Sequence, residues 1–365
     1  MAKSSYVPSG ARIKVIGLGG SGCNAVTRMV REQLRGVEFI AMNTDAQHLE
    51  ITEATQRVQL GEKLTRGLGA GGDQAIGRKA AEESRDLIAE VVTGADMIFI
   101  TAGMGGGTGT GSAPVVAEMA KKSGALTIAV VTKPFAFEGT HRAKTAEEGI
   151  NTLMENVDTL IIIPNDRLLD LCDQKTSVDG AFRLADEVLH QGVQAIAEVI
   201  TVPGLINLDF ADVRTIMKDA GPAWMSIGRG TGQNRAVEAA RQALASPLLD
   251  VSMQGAKGVL FNISGSNLTL YEVNNAAEVI RQAVDSQANV IFGVVMDPNM
   301  GNDVRLTLIA TGFITREAMA GAAKEKELTR ILKGMQDDEL DMPSYLRKRE
   351  AYQSQRVASG RRTFN

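Results

Sequence analysis

Over residues 12–165, near-continuous apolar runs alternate with longer amphipathic stretches. RIKVIGL is followed by CNAVTRMVREQ, VEFIAMN by DQAIGRKAAEESRDLIAEVV, DMIFITA by APVVAEMAKKSG, and LTIAVVT by a helical pattern through Ile150 that leads into TLIIIPN. Strands that are apolar on both faces, separated by helices, indicate a parallel sheet covered on each side. This half is expected to be a doubly wound, Rossmann-like α/β domain.

The next pattern is longer. Val178, Phe182, Ala185, Val188, Leu189, Val193, Ile196 and Ile200 recur at helical spacing, with Thr176 or Ser177 placed to cap the start and Pro203-Gly204 to stop the end. One long connecting helix is predicted. Beyond it, strand candidates KGVLFNIS, NVIFGVVM and VRLTLIATGF interleave with helices around ADVRTIMKDA, RAVEAARQALA and AAEVIRQAVDS, which predicts a second, smaller α/β domain. From Asp337 the chain reads as a tail, and from Ser344 onward six Lys/Arg face one Glu.

Composition narrows the functional classes. A net charge of −4 over 365 residues argues against nucleic acid as a partner of the whole surface, and 44% hydrophobic residues suffice for a sizeable core. No apolar run is long enough to span a bilayer and the polar N-terminus lacks a signal-peptide core, so a cytoplasmic protein without direct membrane insertion is expected. Cys23 and Cys172 form no disulfide framework, and His48, His141 and His190 form no metal-ligand spacing, so no protein-held metal is expected.

Chemistry concentrates in glycine. Gly17, Gly19 and Gly22 fit G-x-G-x-x-G between a strand and a helix, with Asp45 after the next strand, which is also the layout of a dinucleotide fingerprint. Residues 103–114, GMGGGTGTGSAP, place six glycines at the end of another strand. Glycine admits positive φ and close approach, so successive amides can converge on phosphate oxygens. Thr108 and Thr110 are expected to add hydroxyl donors, and Pro114 to sit in the first turn of a helix whose N-terminus favours anions. Two such loops imply an elongated polyphosphate; as tight strand–helix turns alone they would serve only packing. With no G-x-x-x-x-G-K-[ST] lysine, charge must be met by amides, helix ends and Mg²⁺. A third loop, residues 67–73, reads as a lid near the terminal phosphate.

At GGGTGTG, residues 105–111, the chain resembles the FtsZ family of the tubulin/FtsZ superfamily, the GTPases of bacterial division. NTDAQ before it and KPFAFEGTHR and NLDFADV after it reinforce the likeness in order, and it covers about residues 12–313 plus a short tail motif. The resemblance implies GTP/GDP binding, with Gly19, Gly20, Ser21, Gly105, Gly106, Gly107, Thr108 and Gly109 cradling phosphates. It places Glu138 and Arg142 at the ribose and Asn165, Phe182 and Asp186 at guanine, and completes the set with Asn24, Gly71, Gly72 and Thr132. A carboxylate accepts from guanine N1–H and N2–H₂ and would meet adenine badly, so the implied chemistry is consistent. Read without the resemblance, Phe182 belongs to the core and Glu138/Arg142 are a surface ion pair. Two positions depart from the family pattern: Ser21 stands where glycine is common, and Asp73-Gln74 where Asn-Pro is frequent. Asp73 would repel a γ-phosphate unless metal-bridged.

Asn207, Asp209 and Asp212 can orient water for attack on a phosphoryl group; the plainer reading is that Asp209 caps the next helix. If Phe182 and Asp186 touch the base, the helix to Ile200 separates them from these acids by roughly 21–27 Å at 1.5 Å per residue. The acids then serve the nucleotide of another copy in a head-to-tail stack, which builds a filament. The resemblance implies the same homopolymer, placed at mid-cell. It also assigns residues 340–349, LDMPSYLRKR, to docking on membrane-anchoring and regulatory division proteins. The expected organisation is a tail at 1–11, a GTP-binding domain at 12–175, the helix at 176–202, a GTPase-activating domain at 203–315, a short linker at 316–338 and a partner-binding peptide at 339–365. Two alternatives remain at this point: an NAD-dependent oxidoreductase using the first glycine loop, and a GTP-binding polymer without turnover.

Overall fold

The apolar runs of the first half become strands β1 (Ile13–Leu18), β2 (Val37–Asn43), β3 (Gln56–Gln59), β4 (Met97–Gly103), β5 (Leu126–Lys133) and β6 (Thr159–Pro164) in the computed structural model. The later strands are β7 (Gly221–Gly230), β8 (Gly258–Gly265), β9 (Asn289–Met296) and β10 (Val304–Thr311). Helices α1 (Gly19–Arg31), α2 (Ala46–Ile51), α3 (Glu62–Thr65), α4 (Gln74–Glu83), α5 (Arg85–Val92), α6 (Thr108–Lys122), α7 (Thr140–Met154) and α8 (Asn165–Leu169) accompany the first set. They are followed by α9 (Val178–Thr201), α10 (Phe210–Met217), α11 (Arg235–Leu244) and α12 (Leu270–Ala283). The structure describes residues 10–170, 172, 176–202, 208–248 and 253–313. Asn207, Pro203-Gly204, the 316–338 segment and the 340–349 peptide lie outside the described residues.

All ten strands join one sheet in the order β3-β2-β1-β4-β5-β6-β7-β10-β8-β9. Pairing is parallel from β3 to β7, antiparallel on both sides of β10, and parallel again between β8 and β9. The β6–β7 seam is short, Thr159–Ile161 against Gly221–Ala223. The chain winds outward in both directions from the neighbours β1 and β4, so their carboxyl ends form the switch point where such sheets bind ligands.

Alternation along each strand feeds two layers. Ile13, Val15 and Phe99 pack with Val193 and Ile196 of α9 on one face, while Ile16, Leu18 and Ile98 pack with Val116 of α6 and Ile150 of α7 on the other. A third cluster joins Ala239 of α11 and Ala276 of α12 to Val259 and Leu306. Helix α9 has 24 residues, about 36 Å of rise, and its Ser177 cap accepts from the Gly180 amide at 3.1 Å.

Four expectations change. The helix after the second glycine loop starts at Thr108, inside the glycine run, so Pro114 lies within α6 rather than in its first turn. Its missing N–H leaves the Thr110 carbonyl without the usual helical donor. The 74–92 helix is two helices, α4 and α5, broken at Ser84, whose buried hydroxyl accepts from the Gly61 amide at 2.9 Å. Two strands escaped the pattern: β3, in which only Val58 is buried, and β7, punctuated by Gly221, Pro222, Gly228 and Gly230. Val178 and Phe182, at core spacing on α9, are 63% and 40% exposed because that end of the helix overhangs the sheet's carboxyl edge.

Helices α4 and α6 approach so closely that a Cβ on Gly111 would lie 2.1 Å from the Gln74 carbonyl oxygen. Alanine would gain about 1 kcal/mol of helix propensity there, but overpacking against backbone costs about 1–3 kcal/mol. Because the 2.1 Å approach is to backbone, the upper end of that cost applies, and Gly111→Ala is expected to lower the free energy of unfolding by about 2 kcal/mol in a denaturant titration; unchanged stability would show that the two helices separate freely.

Candidate functional site

Register places the two glycine loops side by side. β1 and β4 pair with Leu18 opposite Ala102, so α1 and the 103–107 turn leave the sheet at one level. Gly19, at φ +68°, lies so near the second loop that a Cβ would be 2.9 Å from the Gly109 amide nitrogen. The loops bound a cleft of about 450 Å³. Into it point the first turns of α1 and α6, whose leading amides have no intrahelical acceptor and whose dipoles favour an anion.

The cleft gathers residues from four carboxyl strand ends and from α9. Gly19, Gly20, Ser21 and Asn24 follow β1; Gly106, Gly107, Thr108 and Gly109 follow β4. Thr132 belongs to β5, Glu138 and Arg142 lie beyond it, Asn165 follows β6, and Phe182 and Asp186 come from α9. Arg142 is the one lysine or arginine among the described residues that line it. A Cβ on Gly106 would meet nothing within 4 Å, so that position faces open space.

Gly71, Gly72 and Gly105 line an adjoining hollow instead, which shares Arg142 with the cleft. The Gly105 amide donates to the Thr110 hydroxyl at 2.8 Å, and Thr110 is 1% exposed. That hydroxyl therefore braces the loop from inside and is no donor to a ligand, contrary to expectation. The third loop is anchored by a bridge between Asp45 and Leu68 and by packing on Gly107, where a Cβ would come within 2.9 Å of Ala70 Cβ and the Asp73 nitrogen. Asp73 caps α4, its carboxylate accepting from the Ala75 amide at 2.7 Å, which gives the departure from asparagine a structural use.

The opposite part of the cleft suits a planar ring. Phe182 stands edge-on to Phe135, with centroids 5.5 Å apart and an angle of 85°, and edge-on to Phe137 at 6.3 Å. Asn165 is buried and its side-chain oxygen has no protein partner. Burial pushes the Asp186 carboxyl up to about 7, against the opposing influence of Arg28. An unpartnered amide oxygen and a desolvated carboxyl beside an aromatic face form a donor-seeking set that a base edge would satisfy. Glu138 is committed at both oxygens, accepting from the Phe135 amide at 2.9 Å and from Arg142 at 2.6 Å, so the ion pair also shapes the rim.

His48 was not legible as a site residue. Its ring bridges Asn43 at 3.2 Å and Asn24 at 3.0 Å beside Gly20, and a lone histidine after a strand carries no signal of that role. Cys23 is buried and its thiol is pushed up to about 12 by burial, which excludes it as a nucleophile.

Neither Asp209 nor Asp212 lines the cleft. Asp209 caps α10, accepting from the Asp212 amide at 2.8 Å, and both residues are exposed. The fifteen-residue path along α9 from Asp186 to Thr201 rises about 22 Å.

Asp186 carries a measurable cost. Its carboxyl rises from 3.8 to about 7 on folding, so between those values the folded chain holds a proton that the unfolded chain has lost. Stability must fall as pH rises from about 4 to about 7 and then level off. For ligand-free protein, Asp186→Asn is expected to be the more stable at pH 8, by on the order of 2 kcal/mol, with the gap closing toward pH 4 in melts across pH. A gap independent of pH would contradict the desolvated carboxyl.

Comparison with known proteins accords with this geometry. Residues 12–173 match the GTPase domain of the Tubulin/FtsZ family and residues 221–314 the C-terminal domain of the FtsZ family. Among solved structures, an empty FtsZ dimer from M. jannaschii is 48% identical, with a TM-score of 0.81 over 83% of this chain and 88% of that one. The GDP-bound CetZ1 monomer from Haloferax volcanii, 22% identical, shares the fold with a TM-score of 0.72 over 84% of this chain and 95% of its own. The GTPγS-bound CetZ2 protofilament from the same organism does so at 20% identity and 0.71, over 89% and 99%. The chain belongs to the FtsZ family, with the tubulin/FtsZ fold and the GTPase domain that defines it.

Proposed function

We propose that this chain is a self-assembling GTPase whose copies stack head to tail into the filaments of a cytoplasmic division ring, each acidic loop completing the site of the next copy. The observation that carries the reading is the separation of parts: the cleft holds groups that bind a nucleotide, while Asp209 and Asp212 are exposed and absent from it. The dimer of the M. jannaschii relative and the CetZ2 protofilament support assembly of this kind.

In this reading the amides of Gly19, Gly20, Ser21, Gly106, Gly107 and Gly109 hold the phosphates, Phe182 stacks on guanine, and Asp186 and Asn165 meet its edge. The donor set fits Mg²⁺ carried by the nucleotide, since that ion keeps water and phosphate ligands and needs few from protein; Ser21 and Thr108 offer hard hydroxyl oxygens. Its chemistry is neutralisation of charge on the phosphates. Gly71, Gly72 and Gly105, in the adjoining hollow, close over the terminal phosphate. Asp212 of the incoming copy, and Asn207 with it, orients the attacking water. Because the Asp209 carboxylate already holds an α10 amide, its contribution is chiefly to position Asp212. The 12–175 and 203–315 segments divide binding from activation, and the 340–349 peptide docks on membrane-anchoring division proteins.

Two measurements test this. Asp212→Ala is expected to bind GTP normally but lose hydrolysis, and when mixed with wild type to depress activity more than in proportion, because each variant spoils a neighbour's site; simple dilution of activity would contradict a shared site. Guanine donors favour the ionised Asp186, so GDP affinity is expected to weaken about tenfold from pH 8 to pH 6 by calorimetry. Asp186→Asn should bind more weakly and without that pH dependence; an equally pH-dependent variant would remove Asp186 from the base site.

A further inference from the structure

Helices α1 and α9 meet at a cluster that nucleotide binding does not use. Glu32 caps the C-terminal end of α1, while Glu187 and His190 share one face of α9 at the Glu-x-x-His spacing that recurs in helical metal sites. One ligand atom from each lies within 4.8 Å of the other two. Sequence spacing did not expose the set, because its third member comes from a different helix.

The independent observation is His190. It is 2% exposed, and neither ring nitrogen has a hydrogen-bond partner. Its Nδ1 lies 3.1 Å from Glu32 Oε2 without an aligned hydrogen bond. Two ligands each about 2.1 Å from one ion, at angles between octahedral and tetrahedral, are about 3.0–3.4 Å apart. The observed separation falls in that interval.

At present Arg28 fills the role of counter-charge, its Nη2 2.7 Å from Glu187 Oε2 and its Nε 3.0 Å from Glu32 Oε1. Gln191 donates to the other Glu187 oxygen. The Arg28 side chain is 33% exposed and that of Glu32 40%, so the guanidinium can withdraw into water and an ion can enter from the same side.

We propose that Glu32, Glu187 and His190 form a site for a divalent transition metal of the zinc, cobalt or manganese class, with water completing the shell and Arg28 as its competitor. Imidazole in the set disfavours Mg²⁺. The ion ties the helix that opens at the phosphate loop to the helix that carries Phe182 and Asp186. The site is independent of the assembly reading above.

The test uses the full chain, stripped of metal and nucleotide, with Co²⁺ as probe in equilibrium dialysis and visible absorption. Wild type is expected to retain one Co²⁺ more per chain than Glu32→Gln, with ligand-field bands that the variant lacks, and Zn²⁺ should raise the melting temperature of wild type alone. Arg28→Gln removes the competitor and should tighten Co²⁺ binding severalfold, a gain that a misfolded variant cannot mimic. GDP binding by Glu32→Gln and the circular dichroism of Arg28→Gln, whose guanidinium also acts on Asp186, check the fold. Wild type that retains no Co²⁺, a Glu32→Gln protein with the same stoichiometry and bands, or unchanged affinity in Arg28→Gln overturns the proposal and leaves an ordinary ion-pair network.

Discussion

The length of α9 is the constraint on which the rest depends. Its buried face, through Leu189, Val193 and Ile196, locks it along the sheet, so its two ends are held a fixed distance apart. One end presents Phe182 and Asp186 to the cleft; the other leads toward α10, where Asp209 and Asp212 lie. A helix packed along its length cannot fold back, and a site that needs both ends must borrow one of them from elsewhere. In the proposed division of the site, self-association is a requirement of the chemistry rather than an addition to it.

The binding half is made chiefly of backbone. Parallel register brings the ends of β1 and β4 level, and glycine at positions 19 and 109 lets two loops approach to a distance that a side chain would forbid. Amides and helix dipoles then replace the lysine that other phosphate-binding loops employ. The base end is more costly, because Asp186 is desolvated and Asn165 is left without a partner. In the proposed base site a ligand relieves that cost, and the same carboxyl that weakens the empty fold is the one assigned to the choice of base.

Much of this was legible in the residues. The both-faces-buried runs β1, β2, β4, β5 and β6 and the long apolar stripe of α9 declare themselves, since burial and periodicity agree there. β3 does not, because an edge strand with one buried side chain has too little pattern, and β7 looks like a turn because Gly228 and Gly230 are there to let α11 approach. The start of α6 was hidden for a related reason: glycines that read as loop take helical angles once two loops and α4 pack against them. Phe182 misleads in the opposite sense, with core spacing and an exposed ring, since periodicity cannot tell a core from a face that lines a cleft. The role of His48 and the meeting of Glu32 with His190 depend on tertiary contacts and leave no trace in spacing.

The most direct measurement of the central claim is GTP hydrolysis per molecule as a function of protein concentration, with assembly followed in the same samples by light scattering. A catalytic site divided between copies predicts negligible turnover below the assembly threshold and a steep rise to a plateau above it. A constant rate per molecule down into demonstrably monomeric protein would mean that each chain carries its own complete site.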